Sequence, residues 1–370
     1  MNLLEARIDL AAIAHNTRLI KDKAAAQGAQ LMCVVKADGY NHGAVEVATV
    51  MEENGADQFG VATIGEALAL REGGIESSIL SWIWSPEQDL GAAIAAEIDL
   101  AAISLEHVKA LVRASESYGK KPVRVTVKVD TGLHRSGVDK QDWRESFCML
   151  RDAENIQVTG VFSHFSSADE SDSTETEQQE RAFLNAIELG RSLGLELPVN
   201  HIANSPATLN RPDLYFDMVR PGLALYGHEP IPGESHGLRE AMSWVGRVTV
   251  VKPIARGEGT SYGLTWRAEQ DGYLCVVPVG YADGLPRSAQ GHLEITIGGR
   301  RYPQVGRVCM DQIVVALGEN PYGVAQGDEA VILGPTGMTA TELATAMGTI
   351  NYELVCRPCG RTVRVFEHSD

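Results

Sequence analysis

LMCVV, residues 31–35, is a short and continuous apolar run, which is typical of a β-strand buried on both faces. Similar runs recur along the chain, and stretches of helical period rich in Ala, Leu and Glu separate most of them. The runs that follow are QFGVAT (58–63), SILSW (78–82), IDLAAIS (98–104), VRVTVKVD (123–130), VTGVFSHF (158–165), PVNHIAN (198–204) and DMVRPGLALYG (217–227). Eight strands alternating with helices are the number that closes a parallel barrel. The sequence therefore predicts a (β/α)8 barrel of the TIM type, which we place at residues 11–235.

An open, doubly wound sheet is the alternative arrangement of alternating strands and helices. Sheets of that kind often bind a dinucleotide through a Gly-x-Gly-x-x-Gly turn after the first strand. Here LMCVV is followed by KADGYNHG (36–43), which does not have that spacing. The barrel is therefore the preferred interpretation.

The pattern of the sequence changes after residue 235. Runs with β-strand character now follow one another, separated by Gly and Pro turns: RVTVVKPI (247–254), YLCVVPVGYA (273–282), LEITIGG (293–299), QIVVALG (312–318) and DEAVILG (328–334). Little sequence of helical period interrupts them, so we predict an all-β domain over residues 236–370. Residues 5–10 alternate apolar and polar side chains, and we expect the segment 1–10 to pair with this domain rather than with the barrel.

Length and composition narrow the class of protein. The 370 residues exceed what one hydrophobic core usually holds, so two domains fit the chain. The net charge of −17 disfavours nucleic acid and anionic membranes as partners. No run approaches the ~20 apolar residues of a membrane helix, and the first ten residues carry charges where a signal peptide is apolar. We therefore expect a cytoplasmic protein. Cys356 and Cys359 have C-x-x-C spacing, but without a second pair or a nearby histidine they predict no metal site.

Polar residues that could carry chemistry lie at the carboxyl ends of the predicted barrel strands, where barrel enzymes place their reactive groups. They are Lys36, Arg135, His164, Asn204, Ser205, Arg220 and Gly222. Lys36 is the most informative of them because it follows LMCVV directly. Beside cationic groups an amine loses its proton more easily than usual, and a neutral amine can form a Schiff base. A lysine that simply extends to solvent is the alternative.

The stretch VKADGYNHG (35–43) resembles the pyridoxal-phosphate attachment motif of bacterial alanine racemases. Further segments are similar to segments of that family and occur in the same order: KVDTG (128–132) with Arg135, FSHF (162–165), ANS (203–205), VRPG (219–222), GYADG (280–284) and GRVCMD (306–311). The resemblance covers essentially the whole chain and implies a pyridoxal-phosphate barrel followed by a β-domain. Asn41 stands where the family more often has glycine, and Ser136 where it more often has leucine. Asparagine tolerates a left-handed backbone, so we expect Asn41 to do little harm.

The resemblance implies two acid–base residues on opposite faces of the cofactor, Lys36 and Tyr262. Racemisation needs both, because a proton leaves Cα on one face and another returns on the opposite face. His164 and Arg220 are implied to form a network with Tyr262 that stabilises its phenolate, and Arg220 also to face the pyridine nitrogen. Because an arginine keeps its proton, that nitrogen would remain unprotonated, which weakens the electron sink and discourages side reactions.

The other binding residues are implied by the same resemblance. The implied cofactor-binding set is Lys36, Tyr40, His164, Asn204, Ser205, Arg220, Gly222, Leu223 and Tyr352. Arg135 and Met310 are implied to bind the substrate. Lys128 lies inside an apolar strand, where an unpaired ammonium is costly. Related enzymes often carry a carbamate on this lysine, and we expect the same anion here, orienting Arg135.

Tyr262, Tyr281 and Met310 fall in the predicted β-domain, although the implied site lies at the barrel mouth. The resemblance therefore implies a head-to-tail homodimer in which each β-domain completes the partner's site. The expected function is the interconversion of L- and D-alanine, supplying D-alanine for peptidoglycan. A broad-specificity or serine racemase and a pyridoxal-phosphate-binding protein without turnover remain alternatives. A barrel-type decarboxylase is disfavoured, because it needs an acidic group where Arg220 stands.

Overall fold

A computed structural model of the chain describes residues 2–118, 121–170 and 173–368. Its N-terminal part alternates strands and helices, as the apolar runs predict. The strands are β1 (Leu4–Asp9), β2 (Gln30–Val34), β3 (Gln58–Thr63), β4 (Ser78–Ile83), β5 (Asp99–Ala102), β6 (Val123–Lys128), β7 (Ile156–Phe162) and β8 (Met218–Val219). The helices are α1 (Leu10–Ala25), α2 (Lys36–Tyr40), α3 (Ala44–Glu53), α4 (Ile64–Glu72), α5 (Gly91–Ala95), α6 (Leu105–Ser117), α7 (Trp143–Asp152), α8 (Thr174–Ser192) and α9 (Ser205–Asn210). Of these, α2 is a short turn with left-handed backbone inside it.

The strands β2 to β8 form one parallel sheet in the order β7-β6-β5-β4-β3-β2-β8. The predicted seventh strand, 198–204, is reduced to a single bridge between Phe162 and His201. That segment still closes the ring, because the His201 N–H donates to the carbonyl of Val161 at 3.1 Å and the Arg220 N–H donates to the carbonyl of Ala203 at 2.9 Å. The predicted barrel is thus confirmed, with a seventh strand shorter than predicted.

Gly160 explains how this irregular segment packs against β7. A Cβ atom at Gly160 would lie 1.6 Å from the carbonyl oxygen of Val199, so the two backbones approach more closely than any side chain allows. Pro198, at the start of the segment, has no N–H with which to continue a ladder. A regular strand is therefore replaced by a close backbone contact at this position.

Helix α1 shows how the outer ring of helices is held on the barrel. Its N-cap is Asp9, whose carboxylate accepts from the N–H groups of the second and third helical residues at 2.9 and 3.0 Å. The buried face of α1 includes Leu10, Ile13, Thr17 and Ile20, which the helical period of the sequence predicts. Among the described residues, no helix is long and apolar enough to cross a membrane.

The C-terminal part of the chain is mostly β-structure. Its strands are β9 (Met242–Arg247), β10 (Val250–Ile254), β11 (Gly259–Thr260), β12 (Trp266–Arg267), β13 (Gly272–Val277), β14 (Glu294–Ile297), β15 (Arg300–Val305), β16 (Ile313–Gly318), β17 (Glu329–Leu333) and β18 (Val363–Glu367). Two helices, α10 (Ala340–Met347) and α11 (Asn351–Val355), interrupt the strands, so the domain is mostly β rather than all β. Helix α11 turns back to the barrel mouth, where its Tyr352 reaches the cavity described below.

Most of these strands form a nine-stranded sheet in the order β10-β13-β16-β15-β14-β17-β9-β1-β18. The N-terminal strand β1 lies inside it, antiparallel to β9 and parallel to β18. The first and last strands of the chain are therefore neighbours at one edge of the sheet. The boundary between residues 235 and 236 stays a prediction.

Replacing Gly160 by alanine is expected to destabilise the barrel by more than about 3 kcal/mol, because the added methyl group would overlap the backbone of residue 199. Urea unfolding followed by far-UV circular dichroism measures the change. Gly28→Ala is the matched control, since its φ is +74° but no atom lies within 4 Å of the added Cβ; its cost should be about 1 kcal/mol. Equal losses of unfolding free energy at positions 28 and 160 would contradict the close approach of the Gly160 and Val199 backbones.

Candidate active site

A cavity of about 780 Å³ opens at the carboxyl ends of the barrel strands. It brings together most of the residues that the sequence places at strand ends. Its lining consists of Val34, Lys36, Ala37, Tyr40, Trp82, Ile83, Ile103, Lys128, Arg135, Ser136, Phe162, His164, Asn204, Ser205, Arg220, Gly222, Tyr352 and Cys356. The described residues that line it include four basic side chains and no carboxylate, so an anionic ligand would suit this cavity.

Lys36 enters the cavity from an unusual stretch of backbone. The five residues after it, 37–41, all have positive φ, between 52° and 68°. For residues other than glycine this left-handed conformation costs about 1–2 kcal/mol each. Asn41, at φ 68°, takes the left-handed conformation that its side chain tolerates. The lysine is therefore presented by a tight turn that its surroundings must hold in place.

The pKa of Lys36 is lowered, first by burial and then by the positive charges of Arg135 and Arg220. Its ammonium group also lies 5.8 Å from the centre of the Tyr40 ring. A larger neutral fraction follows near neutral pH than a solvent-exposed lysine would have. The amine can therefore act as a nucleophile or as a base.

Arg220 is buried at the floor of the cavity and holds two histidines. Its guanidinium donates to Nδ1 of His201 at 2.8 Å, to Nδ1 of His164 at 3.1 Å and to the carbonyl of Ser163 at 2.7 Å. Because a guanidinium only donates, both imidazoles accept through Nδ1 and must be neutral. Burial, and then the charge of Arg220, lower the pKa of both histidines well below the ordinary value.

Burial lowers the pKa of Arg220 itself to about 10. It remains protonated at neutral pH, so the floor of the cavity presents a permanent hydrogen-bond donor with a positive charge. His201 is a residue that the strand-end analysis missed. A histidine inside an apolar strand was the available signal, but the sequence alone did not show that it faced the arginine.

Lys128 is buried on the wall of the cavity, and its amine donates to the hydroxyl of Ser136 at 2.6 Å. Burial, followed by the charges of Arg220 and Arg135, lowers the pKa of Lys128 to about 8. The amine is therefore substantially neutral in mildly alkaline solution. Ser136, where a leucine is commoner in the family the chain resembles, supplies this lysine with a polar partner.

Hydroxyl groups gather at the opposite end of the cavity, near β8. The Ser205 hydroxyl accepts from the N–H of Gly222 at 3.0 Å, and the Tyr352 hydroxyl faces Ser205. A Cβ at Gly222 would lie 2.2 Å from the Tyr40 hydroxyl, so only glycine fits there. Asn204 caps α9 by accepting from a helix N–H at 3.3 Å. Leu223, fully buried, begins the next turn of the chain.

Three predicted site residues do not reach this cavity within one chain. Tyr262, Met310 and Tyr281 are 71%, 51% and 44% exposed, and none of them lines it. They belong to neighbouring loops. The N–H of Tyr281 donates to the carbonyl of Cys309 at 3.1 Å, and the hydroxyl of Ser261, next to Tyr262, donates to the carbonyl of Arg307 at 2.8 Å. These residues therefore share an exposed surface of the β-domain, whereas the tyrosines among the described lining residues are Tyr40 and Tyr352.

Several lining residues were not singled out from the sequence, among them Trp82, Ile83, Ile103 and Phe162. Apolar residues at strand ends carry no chemical signature, so no sequence signal distinguishes them from core residues. Cys356 also lines the cavity, although its C-x-x-C spacing suggested only a weak metal or redox motif. Within the described residues, no group of three or more His, Cys, Asp or Glu is placed to hold a metal ion.

The fold and the cavity define a two-domain barrel protein with a basic pocket around a buried lysine. Two family models match the chain: alanine racemase, N-terminal domain, at residues 8–230, and alanine racemase, C-terminal domain, at residues 241–366. The chain belongs to the alanine racemase family.

Individual relatives agree with these matches along the whole chain. An alanine racemase of Corynebacterium efficiens is 65% identical over 364 residues, which are 98% of each chain. The crystal structure of alanine racemase from Corynebacterium glutamicum is similar with a TM-score of 0.89 at 52% identity, covering 99% of this chain and 100% of that one. The alanine racemase of a D-cycloserine-producing Streptomyces lavendulae gives a TM-score of 0.95 at 39% identity, covering 100% and 98% of the two chains.

Replacing Arg220 by methionine is expected to raise the pKa of His164 and of His201, because a nearby positive charge is removed. Both should remain below the ordinary value, since burial is the larger cause. Titration of the imidazole signals by NMR measures the change. Arg300→Met, which removes an arginine from the outer hairpin of the β-domain, should leave both values unaltered. An unchanged His164 in the Arg220 variant would contradict the contact.

Proposed function

We propose that this chain is a pyridoxal-phosphate-dependent enzyme that interconverts L-alanine and D-alanine. The match of both family models and the 65% identity to a curated alanine racemase support the activity. The observation that carries the chemistry is a lysine of lowered pKa in a cavity whose other charged groups are all basic. A circular-dichroism assay of the purified protein with L-alanine, L-serine and L-lysine tests both the activity and the breadth of substrates.

The residues of the cavity fit pyridoxal phosphate. At the end near β8, the absence of a Cβ at Gly222 lets the Tyr40 hydroxyl approach the backbone, and the hydroxyls of Ser205 and Tyr352 lie nearby. Burial raises the pKa of Tyr352 to about 12, so this hydroxyl stays protonated and can donate to a phosphate. When bound, the cofactor supplies an electron sink for the charge that develops as the α-proton of alanine leaves.

Lys36 and Arg220 have different roles toward such a ligand. Lys36 is the group that we propose to hold the cofactor and then to take or return the α-proton on one face, which its lowered pKa favours. Arg220, at the floor of the cavity, would donate a hydrogen bond to the ring nitrogen of the cofactor without giving up its own proton. A strong electron sink is thereby avoided, which suits reversible proton transfer more than decarboxylation.

We propose that Tyr262 is the second acid–base residue and that it comes from another copy of the chain. Tyr262 is exposed and does not reach the cavity of its own chain. A head-to-tail homodimer would bring the surface of Tyr262, Tyr281 and Met310 over the partner's barrel mouth. His164, neutral and held by Arg220 through Nδ1, would then donate its Nε2–H to the oxygen of Tyr262 and so stabilise the phenolate.

Arg135 and the backbone of Met310 are proposed to bind the substrate carboxylate. Arg135 lines the cavity. After burial, its positive charge is the largest cause of the lowered pKa of Lys36. Lys128 is proposed to carry a carbamate, since an amine with a pKa of about 8 has the neutral form that reacts with carbon dioxide. Electron density beyond the Lys128 nitrogen would support this, and its absence in a crystal grown with bicarbonate would contradict it.

The alternatives that the sequence left open are less favoured. A binding protein without turnover would need only the barrel, whereas both family models match this chain. A serine or broad-specificity racemase would differ in its relative rates on L-alanine and L-serine, which the assay compares directly. We propose that the D-alanine serves peptidoglycan synthesis and that the enzyme acts in the cytoplasm.

Lys36→Ala is expected to abolish the yellow colour of the bound cofactor and to reduce racemisation more than about 1000-fold, because the attachment amine and one acid–base group are lost together. Visible absorption and the circular-dichroism assay measure the two effects. Lys252→Ala, at an exposed lysine of β10, is the matched control and should change neither. An unaltered visible spectrum in the Lys36 variant would remove that lysine from the site.

Tyr262→Phe is expected to slow racemisation about 100- to 10,000-fold in both directions, because each direction needs an acid–base group on both faces. Initial rates from L-alanine and from D-alanine measure the effect. Tyr322→Phe, at another exposed tyrosine of the β-domain, should leave both rates unchanged. Rates near those of the unmodified enzyme would mean that another group serves the second face.

The same variant tests the shared site. When Lys36→Ala and Tyr262→Phe proteins are unfolded, mixed and refolded, about half of the dimers should contain both variants. One of the two sites in each of these dimers then has an intact lysine and an intact tyrosine, so activity should recover to about a quarter of wild type. A mixture as inactive as its parts would show that the sites are not shared.

A further inference from the structure

The left-handed turn after Lys36 is held from two sides. On the barrel side, Glu66 accepts from the N–H of Ala37 at 2.8 Å, and Asp38 accepts from the N–H of Ala44 at 2.8 Å. Glu66 is itself fixed at the start of α4, where its carboxylate completes a capping box. The barrel therefore anchors the beginning of the turn and the helix that follows it.

On the other side, the turn is held by the last residues of the chain. Arg364 forms an ion pair with the carboxylate of Asp38 at 2.7 Å, and the same nitrogen donates to the side-chain oxygen of Asn41 at 3.1 Å. The amide nitrogen of Asn41 donates in turn to the carbonyl of Pro358 at 2.7 Å. The ring of Phe366 packs against the backbone at Gly43. A Cβ at that position would lie only 2.7 Å from the ring.

The geometry of β18 explains why these contacts occur together. Arg364 and Phe366 are two residues apart on this strand, so both side chains point to the same face of the sheet. The register of β18 is set by its parallel pairing with β1, where Arg364 is opposite Ala6. One face of the edge strand thus covers the Lys36 turn, and the nine-stranded sheet keeps that face in position.

Asn41 makes two of these contacts through its side chain. A glycine, which the alanine racemase pattern more often has here, could adopt the same backbone but could make neither hydrogen bond. The ion pair between Arg364 and Asp38 alone would count for little, because the Asp38 side chain is 56% exposed. Shared with Asn41 and Pro358, it becomes part of a connected network across the two domains.

We propose that Arg364 and Asn41 are positioning residues for Lys36: they fasten the left-handed turn to the C-terminal strand and so fix where the lysine amine stands in the cavity. This inference rests on the proposed role of Lys36. A small displacement of a reacting group lowers the rate of the chemical step more than it weakens the binding of a small substrate. The effect should therefore fall on cofactor retention and on kcat, not on KM for alanine.

The test compares Arg364→Ala, Asn41→Gly and the double variant as full-length holoenzymes. Each single change should release pyridoxal phosphate about fivefold faster and lower kcat about fivefold in both directions, with KM for alanine nearly unchanged. Because the two residues act through one network, the double variant should lose little more than either single one. Arg364→Lys should recover part of the loss, since an ammonium can still reach one acceptor.

One control variant keeps the outcomes distinct. Arg300→Ala removes an arginine from the far hairpin of the β-domain, where it stacks on Tyr322, and should change neither quantity. The proposal would be overturned if Arg364→Ala and Asn41→Gly changed kcat no more than Arg300→Ala does. Fully additive losses of kcat in the double variant would also overturn it. If Arg364→Ala does not fold, Asn41→Gly and Arg364→Lys decide the question.

Failure of the inference is distinguishable from failure of the proposed function. If Lys36→Ala keeps the visible spectrum, the role of Lys36 is wrong. If that spectrum is lost while Asn41→Gly and Arg364→Ala both release cofactor at the wild-type rate, only the positioning role is wrong. The pH dependence of the visible band gives a further readout, since a general loss of stability would not move its midpoint.

Discussion

Mutual repulsion among basic groups is the constraint on which the site depends. Lys36, Lys128, Arg135 and Arg220 line one cavity, and no carboxylate accompanies them among the described lining residues. The chain as a whole carries a net charge of −17, so this positive region is local and is built by the fold. Burial lowers the pKa of both lysines and of the two histidines beside Arg220, and the neighbouring positive charges lower it further.

Anionic ligands would relieve this repulsion. The phosphate of the proposed cofactor, the carboxylate of alanine and the proposed carbamate on Lys128 would each bring a negative charge to the cavity. Burial and the same positive charges lower the pKa of Lys36, which favours the neutral amine that can accept a proton. Binding and reactivity thus have one physical origin, the burial of several like charges close together.

The second domain contributes to the site in two directions. Through α11 and β18 it reaches its own barrel, where Tyr352 lines the cavity and Arg364 holds the turn after Lys36. Through the loops that carry Tyr262, Tyr281 and Met310 it presents a surface that its own barrel does not use. That division is the structural support for a shared site between two copies.

Much of this arrangement follows from sequence patterns. The alternation of apolar runs with helical segments predicts the barrel, because strands buried on both faces need helices on the outside. Strand ends predict Lys36, His164 and Arg220 as neighbours, since parallel strands bring their carboxyl ends to one edge of the sheet. The family resemblance then supplies chemistry that no periodicity could reveal.

Local patterns in the chain therefore suffice to predict the order of the elements and the identity of the strand-end groups. The folded structure was needed to show that the seventh strand is reduced to one bridge, that His201 accepts from Arg220, and that Asn41 contacts Arg364. These contacts join residues far apart in the chain. Their distances depend on how barrel and sheet pack together, and no short stretch of sequence contains that information.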